Sequence, residues 1–321
     1  MKRICYIFIF LIFFQLIFAG EIIINENPLE VDILEENFTG MVLEYNFGRF
    51  QTNSVKIDNT DYLQLKLGRE SNLQKKGFPA LPTINRSFII TDNGSPEVQI
   101  IESSFVEYVL DIAPSKGEIL RSENPQEIPY IFNEIYQENS FFPEELAELS
   151  DPYILRDFRG VMITVNPFSY NPVTRTLRVY HQIKIEINYT DTEPVNPKKS
   201  LTDRYCYEFE PIYKSHFLNF NRSRYTPVEE AGRMLVISHE DFLDEMQPYV
   251  DWKIQKGIET ELINVDDIGT TAEEIKDYLI TEYNSSSGLT FVQLVGDGYH
   301  VPTFFSGSSG LDPFYSLIDG S

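Results

Sequence analysis

Cysteine is scarce in this sequence, and its scarcity excludes a fold held together by disulfides. Only Cys5 and Cys206 occur among the 321 residues. Cys5 lies in an apolar N-terminal segment, which leaves Cys206 as a single thiol in the rest of the chain. Such a thiol can be a nucleophile, a pairing residue or a buried side chain. Its surroundings alternate like a strand and offer no histidine nearer than His216, so we interpret Cys206 as structural.

Basic charge is also in short supply, which argues against a nucleic-acid partner. The chain has 26 lysines and arginines against 49 acidic residues, a formal net charge of −23. No basic stripe is present that could neutralise phosphates. Solubility explains most of the acidic residues. Binding of cations outside the cell is the sharper alternative.

Long apolar runs are limited to the N-terminus. Residues Ile4–Phe18 are apolar except for Gln15, and they follow the basic pair Lys2-Arg3. Ala19-Gly20 then supplies small residues of the kind found at cleavage sites. We therefore predict a signal peptide at residues 1–20 and an exported, secreted or cell-surface protein with no membrane span in its mature form. An uncleaved anchor is the alternative, although the run is shorter than the ~20 residues of a membrane span.

Catalytic motifs are missing as well. The serines of Ser306-Gly-Ser-Ser-Gly310 lack the nucleophile elbow of hydrolases and the lysine of a phosphate loop. His300 could act as a base at a strand edge, but Tyr-His-Val-Pro is more typical of a loop that leaves a sheet. The 321 residues therefore assemble no catalytic set.

A long β-rich region is what the sequence does contain. Residues 29 to about 200 carry β-branched and aromatic residues in alternation with polar ones. Within it, Arg159–Tyr189 predicts a hairpin whose turn contains Asn171-Pro172, followed by two short strands at Leu177–Tyr180 and Ile183–Tyr189. Ser122–Ser150 predicts a surface loop with a short helix around Pro143–Leu149. Alternatively, this acidic loop reaches over a neighbouring domain's cleft. We assign residues 21–200 to a β-domain and residues 201–230 to a linker.

From Gly232 the hydrophobic period changes to that of an α/β domain. The apolar runs Met234–Ile237, Glu259–Val265 and Phe291–Val295 predict buried strands, and helical stripes separate them. The resulting βαβαβ order predicts a parallel sheet that gathers ligands at the carboxyl ends of its strands. We assign residues 231–321 to this domain.

Local signals also place the two helices of this domain. Pro248 is expected to kink the first helix or to open it as its first residue. Thr271-Ala-Glu-Glu274 predicts a capping box at the start of the second helix.

Acidic side chains lie at or beyond the expected carboxyl edge. Asp297 follows the third strand between two glycines, and Asp312 and Asp319 flank a short apolar segment. Calcium requires six to eight oxygen ligands. Asp297 and Asp319 could begin such a metal site but cannot complete it. From spacing alone, the favoured interpretation of Asp297 is a solvated side chain that caps its own turn.

Several segments in order closely resemble the gingipain-type cysteine peptidases. In the last third of the chain these are Tyr225-Thr-Pro-Val-Glu-Glu, Met234-Leu-Val-Ile, Asp251-Trp-Lys-Ile-Gln-Lys-Gly257, Gly288-Leu-Thr-Phe-Val-Gln-Leu-Val-Gly-Asp297 and Asp312-Pro-Phe-Tyr315. Upstream, Gly77-Phe-Pro-Ala-Leu-Pro82 and Pro167-Phe-Ser-Tyr-Asn-Pro-Val-Thr174 resemble the family's prodomain. The resemblance implies a β-sandwich prodomain followed by the start of a caspase-like α/β domain.

The resemblance also implies roles for particular residues. Prodomains of this family are removed by cleavage after an arginine, which corresponds here to Arg224, with Tyr225 next. Asp297 corresponds to a calcium ligand, and Asp319 to a position that contributes its backbone carbonyl. The family's catalytic cysteine and histidine would lie beyond Ser321. Cys206 and His300 do not match them, so no catalytic residue is assigned.

We therefore expect the precursor of a secreted gingipain-like cysteine endopeptidase, represented by a C-terminally truncated chain without peptidase activity. Its prodomain would pack on the catalytic domain, and the full-length enzyme would act on a protein or peptide substrate. The competing hypothesis is a non-catalytic β-sandwich that serves as a peptidase inhibitor, a chaperone or a surface adhesion module. A nucleotide-binding protein is disfavoured because no glycine-rich phosphate loop follows the first strand.

Overall fold

The computed structural model describes residues 20–199, 204–221, 226–228, 232–285, 288–307 and 309–318. It contains a long β-rich part followed by a short parallel α/β part. The predicted signal peptide, apart from Gly20, and the predicted cleavage residues Arg224 and Tyr225 lie outside the described residues, as does Asp319.

The β-rich part is built from twelve strands. They are β1 (Gly20–Ile23), β2 (Glu30–Asn37), β3 (Gly40–Asn46), β4 (Arg49–Ile57), β5 (Thr60–Lys66), β6 (Ile84–Ile89), β7 (Ser95–Val109), β8 (Ala147–Leu149), β9 (Tyr153–Leu155), β10 (Phe158–Val165), β11 (Phe168–Asn171) and β12 (Thr176–Thr190).

All pairings among these strands are antiparallel, and they form three sheets. One sheet has the order β1-β4-β5, and a second has the order β6-β10-β8 with β9 also paired to β10. The third has the order β11-β12-β3-β2, with β7 paired along the whole length of β12. The two longest strands, β7 and β12, therefore lie side by side.

One hydrophobic core joins the three sheets. Residues of β1, β4 and β5 contribute to the same buried cluster as residues of β6, β10 and β12. Along β12, Ile183, Ile185 and Ile187 are fully buried, as the predicted alternation requires. Phe168 is fully buried in this core, with its ring 5.2 Å from that of Phe50 and 5.7 Å from that of Phe47. This shared core confirms a β-rich domain.

The predicted hairpin exists, but its strands differ from the expectation. It joins β11 to β12, and the Asn171 side chain accepts hydrogen bonds from the amides of Val173 and Thr174 at 3.1 and 3.2 Å. The two short strands expected after the turn are one continuous strand, with a register shift between Tyr180 and Gln182. A bulge of this kind absorbs the break in alternation without ending the strand.

The region Ser122–Ser150 is a loop, as predicted, but the short helix expected around Pro143–Leu149 was wrong. Its end forms β8, which pairs with β10, and a 3₁₀ helix occupies Glu134–Gln137. Reciprocal hydrogen bonds of 2.9 and 2.8 Å between the backbones of Phe142 and Tyr170 bind the loop to β11. Pairing with an available sheet edge outweighed the weak helical preference of this segment.

The predicted linker contains a folded segment. Strand β13 (Arg204–Cys206) leads through a 3₁₀ turn into helix α1 (Glu210–His216). Tyr205, Tyr213 and Phe217 are buried in a second cluster together with Ile89 and Phe158 of the β-rich part. Strand β13 also pairs in parallel with β14 (Thr226–Val228) on the far side of the predicted cleavage residues.

The α/β part contains the predicted parallel sheet. Strands β15 (Arg233–Ser238), β16 (Thr260–Asn264) and β17 (Leu289–Val295) have the order β16-β15-β17. Helix α2 (Leu243–Gln255) and helix α3 (Ala272–Asn284) connect them. Leu235 and Ile237 pack with residues of α3, whereas Met234 and Val236 pack with Val250 of α2. Each helix thus covers one face of the sheet.

The helix signals were partly confirmed. The capping box is present, with Glu274 N–H donating to Thr271 Oγ1 at 3.3 Å and Thr271 N–H donating to Glu274 Oε2 at 3.1 Å. Pro248 lies inside α2, six residues after the N-cap residue Phe242, and therefore does not open the helix. No helix in the described residues is long and apolar enough to cross a membrane.

One further short pair of antiparallel strands follows β17. It joins β18 (Phe305–Ser306) to β19 (Ser309–Gly310).

Candidate functional site

The carboxyl ends of β15 and β17 carry the candidate site. His239 directly follows β15, and Gly296-Asp297 directly follows β17. Because these strands are parallel neighbours, their carboxyl ends meet at one edge of the sheet. The structure thereby brings together residues that are about 60 positions apart in the sequence.

Asp297 caps the turn in which it lies. Its Oδ1 accepts a hydrogen bond from Tyr299 N–H at 2.9 Å and lies 2.9 Å from His300 Nδ1. The hydrogen bond from the Tyr299 amide, together with the nearby His300, lowers the pKa of Asp297 below its usual value. The side chain is 66% exposed. Asp297 is therefore an ionised, accessible carboxylate at physiological pH.

Glycine is required at position 296 because His300 lies very close to its backbone in this turn. Its φ is +130°, and a Cβ at this position would lie 2.5 Å from the Cβ of His300. Only glycine adopts this backbone region without strain and leaves space for the histidine. The tight turn is what holds His300 beside Asp297.

The other acidic residues predicted near this edge are engaged elsewhere or lie outside the described residues. Asp312 accepts a hydrogen bond from Thr303 Oγ1 at 2.7 Å and begins the 3₁₀ helix Asp312–Ser316. This helix also places the buried Tyr315, whose hydroxyl donates to the Pro302 carbonyl. Asp319 follows the described part of this segment.

His239 is a site residue that the sequence did not reveal. Its ring centroid lies 5.0 Å from that of His300, and the His300 ring is also 5.0 Å from that of Phe242. His239 Nδ1 accepts a hydrogen bond from Asp241 N–H at 3.2 Å. The available signal was its position, the second residue after the first predicted strand of a parallel sheet.

Cys206 is buried and is held in a structural setting. Its backbone N–H donates to Asp157 Oδ2 at 3.1 Å, and the residue is 9% exposed. His216, the nearest histidine in sequence, lies 2.6 Å from the Tyr153 hydroxyl. These contacts match the interpretation of Cys206 as a structural residue.

A second cluster of polar contacts joins the β-rich part to the α/β part. The turn between β9 and β10 holds Arg156 at φ +51°. Arg156 donates from its guanidinium to the Thr290 carbonyl of β17 at 3.0 Å and stacks over the Phe209 ring at 4.5 Å. Phe209 in turn stacks on Phe291 of β17, with ring centroids 5.7 Å apart. The β-rich part therefore contacts the first strands of the α/β part directly.

Asp157 reinforces this contact from the next position. Its Oδ2 accepts a hydrogen bond from the Tyr213 hydroxyl at 2.6 Å in addition to the one from Cys206. Burial, together with the charge of Asp157, raises the pKa of the Tyr213 hydroxyl. The Arg156-Asp157 pair thus fixes both α1 and β17 to the same turn. Sequence patterns did not identify either residue.

Comparison with known proteins assigns both parts to one family. Residues 22–224 match the family model Propeptide_C25, and residues 228–321 match the model described as Peptidase family C25. Gingipain R2 of Porphyromonas gingivalis strain W83 is 41% identical over 257 residues, which cover 78% of this chain and 35% of that protein. Lys-gingipain of the same species is 25% identical over 301 residues, which cover 86% of this chain and 17% of that protein.

A solved structure shows the same relationship. The chain superposes on one chain of the complex of P. gingivalis RgpB pro- and mature domains with a TM-score of 0.55 and 36% identity. The match covers 60% of this chain and 98% of that chain. In that complex a prodomain is bound to the mature domain.

Proposed function

The chain belongs to peptidase family C25, with the family's propeptide followed by the start of its peptidase domain. We propose that it is the latent precursor of an exported cysteine endopeptidase. The order of the two family segments in one chain is the observation that carries this proposal. The chain spans about a third of Gingipain R2, 35% of its length. The activity and the protein or peptide substrate are therefore proposals about the whole protein.

The proposed domain organisation keeps the boundaries expected from the sequence, although the propeptide match continues through residues 201–224. Residues 1–20 direct export, residues 21–200 form a β-sandwich propeptide, residues 201–230 connect the parts, and residues 231–321 begin a caspase-like domain. The shared core of the three β-sheets supports the sandwich. The parallel sheet with one helix on each face supports the caspase-like assignment.

Activation would occur by cleavage between Arg224 and Tyr225. The propeptide match ends at residue 224, and the peptidase match begins at residue 228. Strands β13 and β14 pair on opposite sides of this junction, with Cys206 opposite Val228. Cleavage would therefore leave the two products held by this pairing and by the Arg156 contact with β17. Release of the propeptide would be a separate step.

The peptidase chemistry would be supplied by a thiolate and a histidine that shuttles the proton, with backbone amides that hold the oxyanion. Cys206 and His300 are not proposed for these roles. Cys206 is buried against Asp157, and His300 is bonded to Asp297. We therefore propose that the 321-residue chain itself has no peptidase activity.

A calcium ion near the end of β17 remains a proposal. Calcium binds carboxylate and carbonyl oxygens. Asp297 fits this chemistry because it is ionised and 66% exposed, and it would serve as one ligand. Asp319 is proposed as a second, through its carbonyl.

Limited proteolysis of the whole chain tests the precursor proposal. We expect an arginine-specific protease to cut after Arg224, so that the C-terminal product begins Tyr-Thr-Pro-Val. Arg224→Gln should abolish this product, whereas the matched control Arg222→Gln should retain it. A preferred cut within β7 or β12 would contradict the proposal.

The cleaved products test the contact between the parts. The two products should elute together from a sizing column. Arg156→Ala should weaken their association by about 10- to 100-fold, because it removes a hydrogen bond from a charged donor. The exposed Arg69→Ala is the control. Separate elution of the wild-type products would favour an independent β-sandwich module, and peptide hydrolysis that depends on Cys206 would refute the assignment of a latent chain.

A further inference from the structure

Three potential metal ligands converge at the carboxyl edge of the parallel sheet. His239 directly follows β15, Asp241 lies in the 3₁₀ turn Glu240–Phe242 that leads into α2, and His300 lies in the loop after β17. One ligand atom from each of these side chains lies within 4.8 Å of the ligand atoms of the other two. The described residues contain no other such group of three. The chain has four histidines in all, so two of them meet here.

The His239–Asp241 pair already has the spacing of two ligands on one ion. His239 Nδ1 lies 3.4 Å from Asp241 Oδ2. A tetrahedral zinc ion with bonds of about 2.0–2.2 Å places neighbouring ligand atoms roughly 3.4 Å apart. The 3.2 Å hydrogen bond from Asp241 N–H to His239 Nδ1 shows that this nitrogen carries a lone pair, and a metal ion bound there would take the place of the amide.

His300 is oriented as a metal ligand usually is. Its Nδ1 lies 2.9 Å from Asp297 Oδ1 and 3.4 Å from Asp297 N, and in the tautomer that donates from Nδ1 to the carboxylate the lone pair of Nε2 can bind a metal ion. Histidines that bind metals commonly donate their other ring N–H to a carboxylate, which fixes the ring and makes it more basic. The ring is further positioned by Phe242, whose centroid is 5.0 Å away.

We propose that His239, Asp241 and His300 bind one divalent transition-metal ion of the zinc type, with water in the remaining position. Two imidazoles and one carboxylate suit zinc better than calcium, which takes oxygen ligands. Asp297 acts from behind His300 and is not a ligand of this ion. The ion would join the loops after β15 and β17 and would stabilise the edge of the sheet. This site takes a different ion from the calcium site proposed above, with which it shares Asp297 as a neighbour, and it does not depend on the peptidase activity.

Metal titration of the whole chain tests the proposal. Zinc binding is measured by calorimetry in calcium-free buffer, and cobalt is used as a spectroscopic probe of the ligands. We expect one saturable site. Asp297→Asn should weaken zinc binding by about 10- to 100-fold, as is typical for residues that hydrogen-bond to a metal ligand. His300→Asn and Asp241→Asn should each weaken it by more, because they remove a ligand.

Controls separate this site from adventitious binding. His181→Asn changes a histidine of β12, remote in sequence from the cluster, and should leave the affinity unchanged. Asp241 is 65% exposed, so its variant is expected to fold, and the fold of every variant is to be checked by circular dichroism. Excess calcium should not displace the cobalt signal. The proposal would be overturned if the wild type showed no saturable binding, if His300→Asn or Asp241→Asn bound zinc as tightly as the wild type, or if calcium displaced the cobalt.

Discussion

Arg159, a single residue with many polar partners, holds separate segments of the β-rich part together. Arg159 is fully buried, and its guanidinium donates to four backbone carbonyls, those of Thr91, Gly94, Val195 and Asn196, at 2.7–3.0 Å. Burial lowers the pKa of this guanidinium, and the charge of Asp92 opposes that effect. The contacts bind the segment after β12 to the turn before β7. The segment after β12 is therefore anchored to the β-rich part.

Substitution of Arg159 should be strongly destabilising. Arg159→Met keeps much of the side-chain volume but leaves four carbonyls without their donor. We expect the free energy of unfolding to fall by about 3 kcal/mol. Urea denaturation provides the measurement. Arg69→Met, at an exposed position, should change it by less than about 0.5 kcal/mol, and equal effects of the two variants would contradict the role given to Arg159.

At the scale of elements, short-range patterns predicted best where the contacts are local. The capping box of α3 involves residues three positions apart, and both of its hydrogen bonds are present. The helix expected around Pro143–Leu149 was wrong because β10 offers an edge to which Ala147–Leu149 pairs. Strand β12 is longer than expected because β7 pairs along all of it. Partners distant in sequence decided both differences.

The capping box gives a prediction for α3. Thr271→Ala removes the oxygen that accepts the Glu274 amide, so the free energy of unfolding should fall by about 1 kcal/mol. Thr281→Ala lies in the exposed interior of the same helix and should be neutral or slightly stabilising, because alanine has the higher helix propensity. Thermal or urea unfolding distinguishes the two. A smaller loss for Thr271→Ala than for Thr281→Ala would refute the capping argument.

At the scale of the whole molecule, buried tyrosines make stability depend on alkaline pH. Burial raises the pKa of Tyr45, Tyr136 and Tyr213, and it raises that of Tyr170 to about 12. An unfolded tyrosine loses its proton near pH 10. Above that pH the unfolded state binds fewer protons than the folded state, so stability falls as pH rises. For Tyr170 this loss accumulates between pH 10 and about pH 12.

Tyr170→Phe tests this proton balance. At neutral pH the variant should be less stable by about 1 kcal/mol, because the hydroxyl donates to the Leu110 carbonyl at 3.1 Å. Between pH 10 and about pH 12, ionisation of this residue lowers the free energy of unfolding of the wild type by about 1.4 kcal/mol per pH unit. The variant should therefore match or exceed the wild type near pH 11 in urea denaturation. Tyr299→Phe, at a position that is 97% exposed, should show no such crossover, and a constant difference for Tyr170→Phe would contradict the argument.

The sequence by itself determined the features that repeat along short stretches. These are the strand alternation of β12, the apolar strands and helical stripes of the α/β part, the capping box and the segments that resemble the peptidase family. Tertiary structure alone decided which distant residues meet, such as His239 with His300, Arg156 with Thr290, and Arg159 with the segment after β12. The physical reason is that periodicity encodes which face of an element is buried, whereas the partner of that face depends on how the sheets pair and pack.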